Sequence, residues 1–426
     1  MGEVVDVILL KTVGRRMYKA QYFVFGAAML SSTAYAEDDG IGSDTVKLVP
    51  SVSVGGEYRS NLYLDEGEAG GGSPVVQGTA LLVNPTVGLK VNSNILSLRL
   101  GSGYGVRKYV QEDLQNLNSF NDGRLTASGR LLPKAPVGIS FSESFSSNNR
   151  PVNQPKAESA LIRVYDNKSR VGLSVGNGTV LDVNIGGAYN YRQINGMKDS
   201  QGNRDVINQR NTYGGVGTVS WKFLPKTKVL LDGEYSQNDW VNNTIETTEE
   251  TTSIEDSSAW NVKTGIEGQL SGKTLLRLMA GAGGSAYGEG DAVTQLEGLS
   301  QRLRLDAGLR VKPTESQDIR LEYKRAFQDV YFTNYNLFHQ VGLTYEVNVQ
   351  DRAVVSVNGQ YRNDNYDGPV DRTDQRIQAG GAFALNFADH GAFETALNWR
   401  RLASVDGIAG IEYDDLGLTF GLKWGY

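Results

Sequence analysis

The feature that most constrains this chain is the period of its apolar residues. In the final stretch LGLTFGLKWGY, Leu416, Leu418, Phe420, Leu422, Trp424 and Tyr426 share one parity, and Gly417, Thr419, Gly421, Lys423 and Gly425 the other. A period of two belongs to an extended strand with two unlike faces. The same pattern recurs upstream. In QRLRLDAGLRV, Leu303, Leu305, Ala307, Leu309 and Val311 oppose Arg302, Arg304, Asp306, Gly308 and Arg310. In RAVVSVNGQYR, Val355, Val357 and Tyr361 oppose Ser356, Asn358, Gln360 and Arg362, and in FETALNWR, Phe393, Leu397 and Trp399 oppose Glu394, Asn398 and Arg400. Such strands carry charge on one face and hydrocarbon on the other.

Composition removes several alternatives. The 426 residues include 51 Gly, 21 Tyr and no Cys, are 39% hydrophobic and carry a net charge of −6. That apolar share lies below the ~45–50% of ordinary globular domains, so a large conventional core is hard to assemble. The absence of Cys excludes disulfides, thiolate metal sites and a Cys nucleophile. A mild negative charge spread along the chain gives no nucleic-acid footprint.

The N-terminal region reads as an export signal. Arg15, Arg16 and Lys19 form a basic front, an apolar stretch runs from Tyr22 to Leu30, and Ala34-Tyr35-Ala36 is a small-x-small cleavage site, so residues 1–36 are expected to be a signal peptide cut after Ala36, with Met17 as the natural start. Arg15-Arg16 also fits twin-arginine export, which the barrel-like remainder disfavours. Residues 37–46 would then be a short periplasmic segment and 47–426 a single membrane domain.

Beyond the signal no apolar run approaches the ~18 residues of a spanning helix. Alternating segments of about 9–16 residues instead recur about 18 times, a length suited to strands crossing a bilayer at a tilt. An even count lets an antiparallel sheet close with both ends on one side. Short connections, NSN (92–94), PKA (133–135), PKTK (225–228), SG (271–272), PTES (313–316) and QD (350–351), alternate with longer polar stretches at 59–75, 146–158, 195–209, 240–257 and 364–372. Short turns on one side and long loops on the other are the pattern of outer-membrane barrels. The expected fold is therefore all-β: a transmembrane antiparallel β-barrel of about 18 strands, outer-membrane type, located in the outer membrane of a Gram-negative cell. A soluble sandwich or β-helix is the alternative. Aromatics discriminate, because a barrel should collect them at both membrane interfaces. With the first strand running outward, Tyr104, Tyr189, Tyr191, Tyr235, Tyr361, Trp399, Tyr213 and Trp260 fall at outer ends, and Trp221, Phe223, Tyr345, Phe387, Trp424 and Tyr426 at inner ones.

The early strand VPSVSVGGEYRSNLYL with its YRSNLYL turn, the single long barrel, the signal peptide and the terminal aromatic together resemble the β-barrel porins encoded near exopolysaccharide gene clusters. Arg59 stands where that family favours Asp. The resemblance implies an outer-membrane conduit for export of an exopolysaccharide or capsule-type polymer, with a periplasmic polysaccharide-export component as partner. The alternatives are a general diffusion porin for small solutes and a structural or adhesive barrel acting through its outer loops. The C-terminal aromatic strand also resembles the signal read by the barrel-insertion machinery. Outer-membrane lipid and lipopolysaccharide are the remaining expected contacts.

On this reading the pore-lining residues are Arg99, Arg107, Arg302, Arg304, Arg310, Arg320, Arg362, Arg376 and Arg400 with Asp306, Glu322, Glu346 and Glu394, a density of charge that implies water inside. Opposite charges could pair across strands and stiffen the wall. Alternatively QRLRLDAGLR with Arg320 and Arg362 could form a basic strip guiding an anionic solute or polymer. Residues 37–46 are too few for a folded plug, so gating would fall to loops, the longest of which carries Glu246, Glu249, Glu250, Glu255 and Asp256. An enzyme, a cofactor and a metal site are not expected. NDNYDGPVDRTD has only loose calcium-loop spacing and no flanking helices. GSGYG from Gly101 precedes no helix. His339 and His390, the only histidines, map to opposite sides of the membrane and cannot share a site.

Overall fold

The computed structural model describes residues 41–43, 45–62, 75–114, 122–148, 163–176, 180–198, 204–242, 244–246, 251–253, 256–287, 294–295, 302–330, 335–350, 352–367, 372–406 and 412–425. The signal-peptide and cleavage-site assignments, Tyr426, and Glu249, Glu250 and Glu255 of the acidic loop lie outside them. Eighteen strands make the wall: β1 Val46–Arg59, β2 Gly78–Asn92, β3 Leu96–Tyr109, β4 Asp122–Leu131, β5 Val137–Asn148, β6 Arg163–Val175, β7 Leu181–Lys198, β8 Arg204–Leu224 and β9 Thr227–Asn242. They continue as β10 Ser257–Ser271, β11 Thr274–Tyr287, β12 Leu303–Val311, β13 Gln317–Asp329, β14 Tyr335–Val349, β15 Ala353–Asp367, β16 Arg372–Ala388, β17 Gly391–Ser404 and β18 Tyr413–Gly425.

Each strand pairs antiparallel with its neighbours in sequence, and the circle closes where β1 pairs with β18, from Ser51 opposite Gly425 to Arg59 opposite Gly417. Closure leaves no sheet edge, which is what a β-structure in hydrocarbon requires. The inner turns are short: 93–95, 132–136, 225–226, 272–273 and 312–316 coincide with the Pro, Gly, Asn and Ser punctuation of the sequence, the Arg352 N–H donates back to the Val349 carbonyl at 3.0 Å, and Asp389–His390 joins a further pair.

Several strands exceed the expected 9–16 residues, β8 reaching 21 and β7 reaching 18. Parts of the stretches assigned to loops at 146–158, 195–209 and 364–372 are therefore strand. The reason is geometric: about ten tilted residues cross the ~25 Å apolar band, so the rest of a long strand is wall standing in water. The outward row shows where the band stops. Ile185, Leu231 and Leu343 are among its exposed apolar residues, whereas further up the strands it becomes polar, with Gln193 opposite Gln209 and with Arg325, His339 and Asn363 in one row.

The molecule is inverted relative to a soluble domain. Ile185 is 62% and Leu422 57% exposed, while Asp364 and Asp374 are 0% exposed. Apolar side chains on the outside and charges within are stable only if the outside is lipid. Aromatic pairs bracket the band: Tyr189 packs on Tyr213 with ring centroids 5.3 Å apart, Tyr235 faces Trp260 across β9 and β10, and Trp221 lies 5.9 Å from Phe223 near the inner ends. The protein is an outer-membrane-type barrel, and the soluble sandwich is excluded.

Candidate functional site

The candidate site is the inner face of the wall. Strand register assigns each residue to a face, because residues opposite one another project the same way. Arg99, Arg107, Arg304, Arg310, Arg320, Arg362, Arg376, Arg400, Asp306, Glu322, Glu346 and Glu394 all occupy the parity opposite to the exposed apolar rows. Arg302 does not: it is exposed and precedes the first residue of β12.

Three groups of charge are built there. At the seam, Asp415 of β18 faces Arg400 of β17 and accepts its Nη2 at 2.9 Å, while Arg59 of β1 donates Nη2 to the same carboxylate at 2.5 Å and Nε at 3.2 Å. Arg59 reaches it by lying across Gly417, where a Cβ would meet Arg59 Cδ at 3.3 Å. The backbone N–H of Asn61 donates to Asp415 at 3.2 Å as well. Beside this, Glu57 accepts Arg107 Nε at 2.9 Å across β2, passing over the small buried Ala80. Arg107 also pairs with Asp122 of β4 at 3.5 Å.

The second group spans β14 to β16. Arg362 stands opposite Arg376 and Asp364 opposite Asp374, two like-charged pairs that would repel in isolation. Contacts along each strand and one diagonal across them offset this: Asp364 lies 2.7 Å from Arg362 Nε on its own strand and 3.0 Å from Arg376 Nε on the next, and Asp374 lies 3.1 Å from Arg372 Nη2 on its own strand. Asn336 donates to Asp364 at 2.6 Å, Arg376 donates to the Tyr366 hydroxyl at 2.5 Å, and Arg362 stacks 3.8 Å above Phe338. Several donors of this kind offset the cost of removing the Asp364 carboxylate from solvent.

The third group lies lower, between β9 and β14. Arg310 faces Arg320, and both grip Asp318, Arg320 through Nη2 at 2.9 Å. Lys228 pairs with Glu267 at 2.8 Å, Arg277 with Asp232 at 3.4 Å and Lys263 with Asp306 at 3.6 Å.

These contacts revise the basic strip read from QRLRLDAGLR. Arg302 leaves the strand, Arg304 is buried with its guanidinium 4.2 Å above the Phe327 ring, and Arg310 and Arg320 are committed to Asp318, so the stretch presents no continuous row of cations. The calcium-like spacing is broken by geometry: Asn363, Asn365 and Asp367 project from the outward parity of β15 while Asp374 belongs to the inward parity of β16. Gly368 of that stretch lies outside the described residues. GSGYG is plain strand within β3. His339 lies in the upper wall, its Nδ1 3.0 Å from the Tyr323 hydroxyl, and His390 in an inner turn. Among the described residues no group of three or more His, Asp or Glu is placed to hold a metal ion. From the acidic loop, Asp256 accepts the Trp240 N–H at 2.7 Å, and 244–246 pairs with 251–253 as a small hairpin.

Sequence reasoning missed Glu57, Asp318, Asp364, Arg372 and Asp415. Asp364 and Arg372 fell in a stretch assigned to loop, although continuing the parity of RAVVSVNGQYR through Arg362 would have placed Asp364 inside. Asp415 carries the inward parity of the final strand, but one of its two guanidinium partners, Arg59, is 356 residues away and is known only once the barrel closes.

Comparison with known proteins agrees with this geometry. The family described as "Putative beta-barrel porin 2" matches residues 39–424. No curated protein matches at the level of sequence. Among solved structures, a single-residue mutant of the ferric enterobactin receptor of Pseudomonas aeruginosa superposes with a TM-score of 0.50 at 8% identity, over 91% of this chain and 81% of that one. The FrpB iron transporter of Neisseria meningitidis gives 0.50 at 7% identity, over 90% and 82%. At such identities the likeness is one of fold.

Proposed function

The chain belongs to this family of β-barrel porins, and from that premise we propose that it is an outer-membrane channel through which small hydrophilic solutes diffuse. The observation that carries the reading is the inversion of the wall: a closed circle of strands with hydrocarbon outward and a dense polar and charged inner face. Charges in such number are stable in a lumen only when it holds water or when they are paired, and here both conditions are available. On this reading the inward-facing Arg, Asp and Glu residues line the passage, and the protein performs no chemistry of its own.

Export of an exopolysaccharide is the narrower reading, supported by the resemblance of the YRSNLYL stretch and the whole-chain pattern. Diffusion of small solutes is preferred because the inner face carries bulky ion-paired clusters, as at Asp364 and Arg376, where a polymer conduit calls for a smooth bore. Ferric enterobactin and iron are the ligands named for the receptor and the transporter above, and neither has support here beyond shared fold.

Swelling of proteoliposomes tests the proposal. Vesicles holding the purified protein should swell in isotonic monosaccharide and progressively less in longer oligosaccharides. Vesicles that fail to swell in any sugar, together with a deletion strain that loses surface polysaccharide and keeps small-solute uptake, would replace diffusion by export.

A further inference from the structure

Charge is distributed unevenly around the inner face. Between β9 and β14 Lys228, Lys263, Arg277, Arg310 and Arg320 each pair with a carboxylate, and the cluster from β14 through β18 to β1 is likewise bridged. On β2 to β6 the balance fails. One row of register runs Lys90, Arg99, Ser128, Ser142 and Arg170 on five successive strands, with no carboxylate in it. One step along the strands on one side the same face carries Arg130 opposite Ser140, and two steps on the other it carries Arg124 opposite Ser146. Ser144 faces Lys168 between them. The nearby carboxylates are accounted for: Asp166 lies 3.3 Å from Lys168, Asp122 is held by Arg107, and Glu143 has the other parity. Among the described residues no ion pair forms to Arg99, Arg124 or Arg130, and Arg99 and Arg124 are exposed although they face inward.

Neighbours across a row are about 4.8 Å apart and alternate residues along a strand about 7 Å, so an anion leaving one guanidinium meets the next donor within a short step. Hydroxyls between the cations supply further hydrogen bonds without adding opposing charge. Several weak sites in series permit passage where a single strong one would trap the ion. Because barrel strands tilt, the row climbs obliquely along the wall.

We propose that the inner face of β2–β6 is an anion track, a ladder of guanidinium, ammonium and hydroxyl groups that takes small oxyanions, carboxylate- or phosphate-bearing, through the channel. The track rests on the channel reading above, and its location differs from the basic strip expected near Arg304 and Arg310.

Reversal potentials in a planar bilayer under a KCl gradient test it, with inorganic phosphate added as a competing probe. The native protein should prefer chloride over potassium, and phosphate should depress the chloride current. The variant Arg99→Gln, Arg124→Gln, Arg130→Gln should lower the chloride preference by about two- to fivefold, more at low than at high salt, since these charges are screened by ions. Arg99→Gln alone should move in the same direction, which covers a triple variant that fails to fold. Lys108→Gln, exposed on the other parity of β3, should change nothing. Open channels whose selectivity is indifferent to these arginines would overturn the track while leaving the channel. Folded protein with no conductance would overturn the channel and the track with it.

Discussion

Asp415 shows what a single residue contributes to a closed wall. It accepts from two guanidiniums and a backbone N–H while being 2% exposed. Asp415→Ala would leave Arg59 and Arg400 facing each other across the seam, and breaking such a buried pair costs about 3–5 kcal/mol. The expected result is a lower urea midpoint for loss of the heat-modifiable band on gels. Removing Arg59 in the same chain should return part of that loss, since the pair is coupled; strictly additive effects of the two changes would show that the contact does not hold the seam. Little of this was legible beforehand. Arg59 read as a departure from a family pattern in a turn, and Asp415 as one polar residue of an alternating strand. Their meeting depends on the stagger at which the first and last strands close, which no local pattern encodes.

At the level of the strand, parity was almost wholly legible, because period two is imposed on every residue by the pleat. The aromatic ends follow from it together with strand order, whereas the pairing of LGLTFGLKWGY with the strand near VPSVSVGGEYR followed from the even strand count and the six inner turns from the short connections themselves. Strand length was not legible in the same way. Above the lipid band both faces of a strand meet polar surroundings, alternation fades, and 195–198 and 204–209 resemble loop in sequence while remaining strand in structure. Parity also gives a sharp prediction. Leu343 is 50% exposed on the outer row of β14, and Arg there should cost about 2–4 kcal/mol in a lipid-facing position. Thr344, the next residue, faces inward, and Thr344→Arg should cost far less. Equal losses of stability in vesicles would mean that the faces are misassigned.

For the whole molecule, the arrangement of charge matters more than its amount. The net charge of −6 gave no hint that cations on β2–β6 outnumber the carboxylates of the same face, while the cations of the Asp318, Asp364 and Asp415 groups are bridged by carboxylates. The inward face of each strand was recoverable from parity, but which charged residues on it are engaged by partners depended on which strands stand side by side. That is why Arg310 and Arg320, expected in a guiding strip, are tied to Asp318, and why Arg99 and Arg124 emerge as the more accessible cations. The ion pairs stiffen the wall at the Asp318, Asp364 and Asp415 groups, and on the proposed reading the hydroxyl-rich arc of β2–β6 is where solute would pass. The central claim, a water-filled passage through a closed inverted barrel, is tested most directly by recording current across a planar bilayer containing the purified, heat-modifiable protein. Discrete open-channel steps with a nearly linear current–voltage relation are predicted. A folded, inserted barrel that passes no current at any voltage would contradict the account.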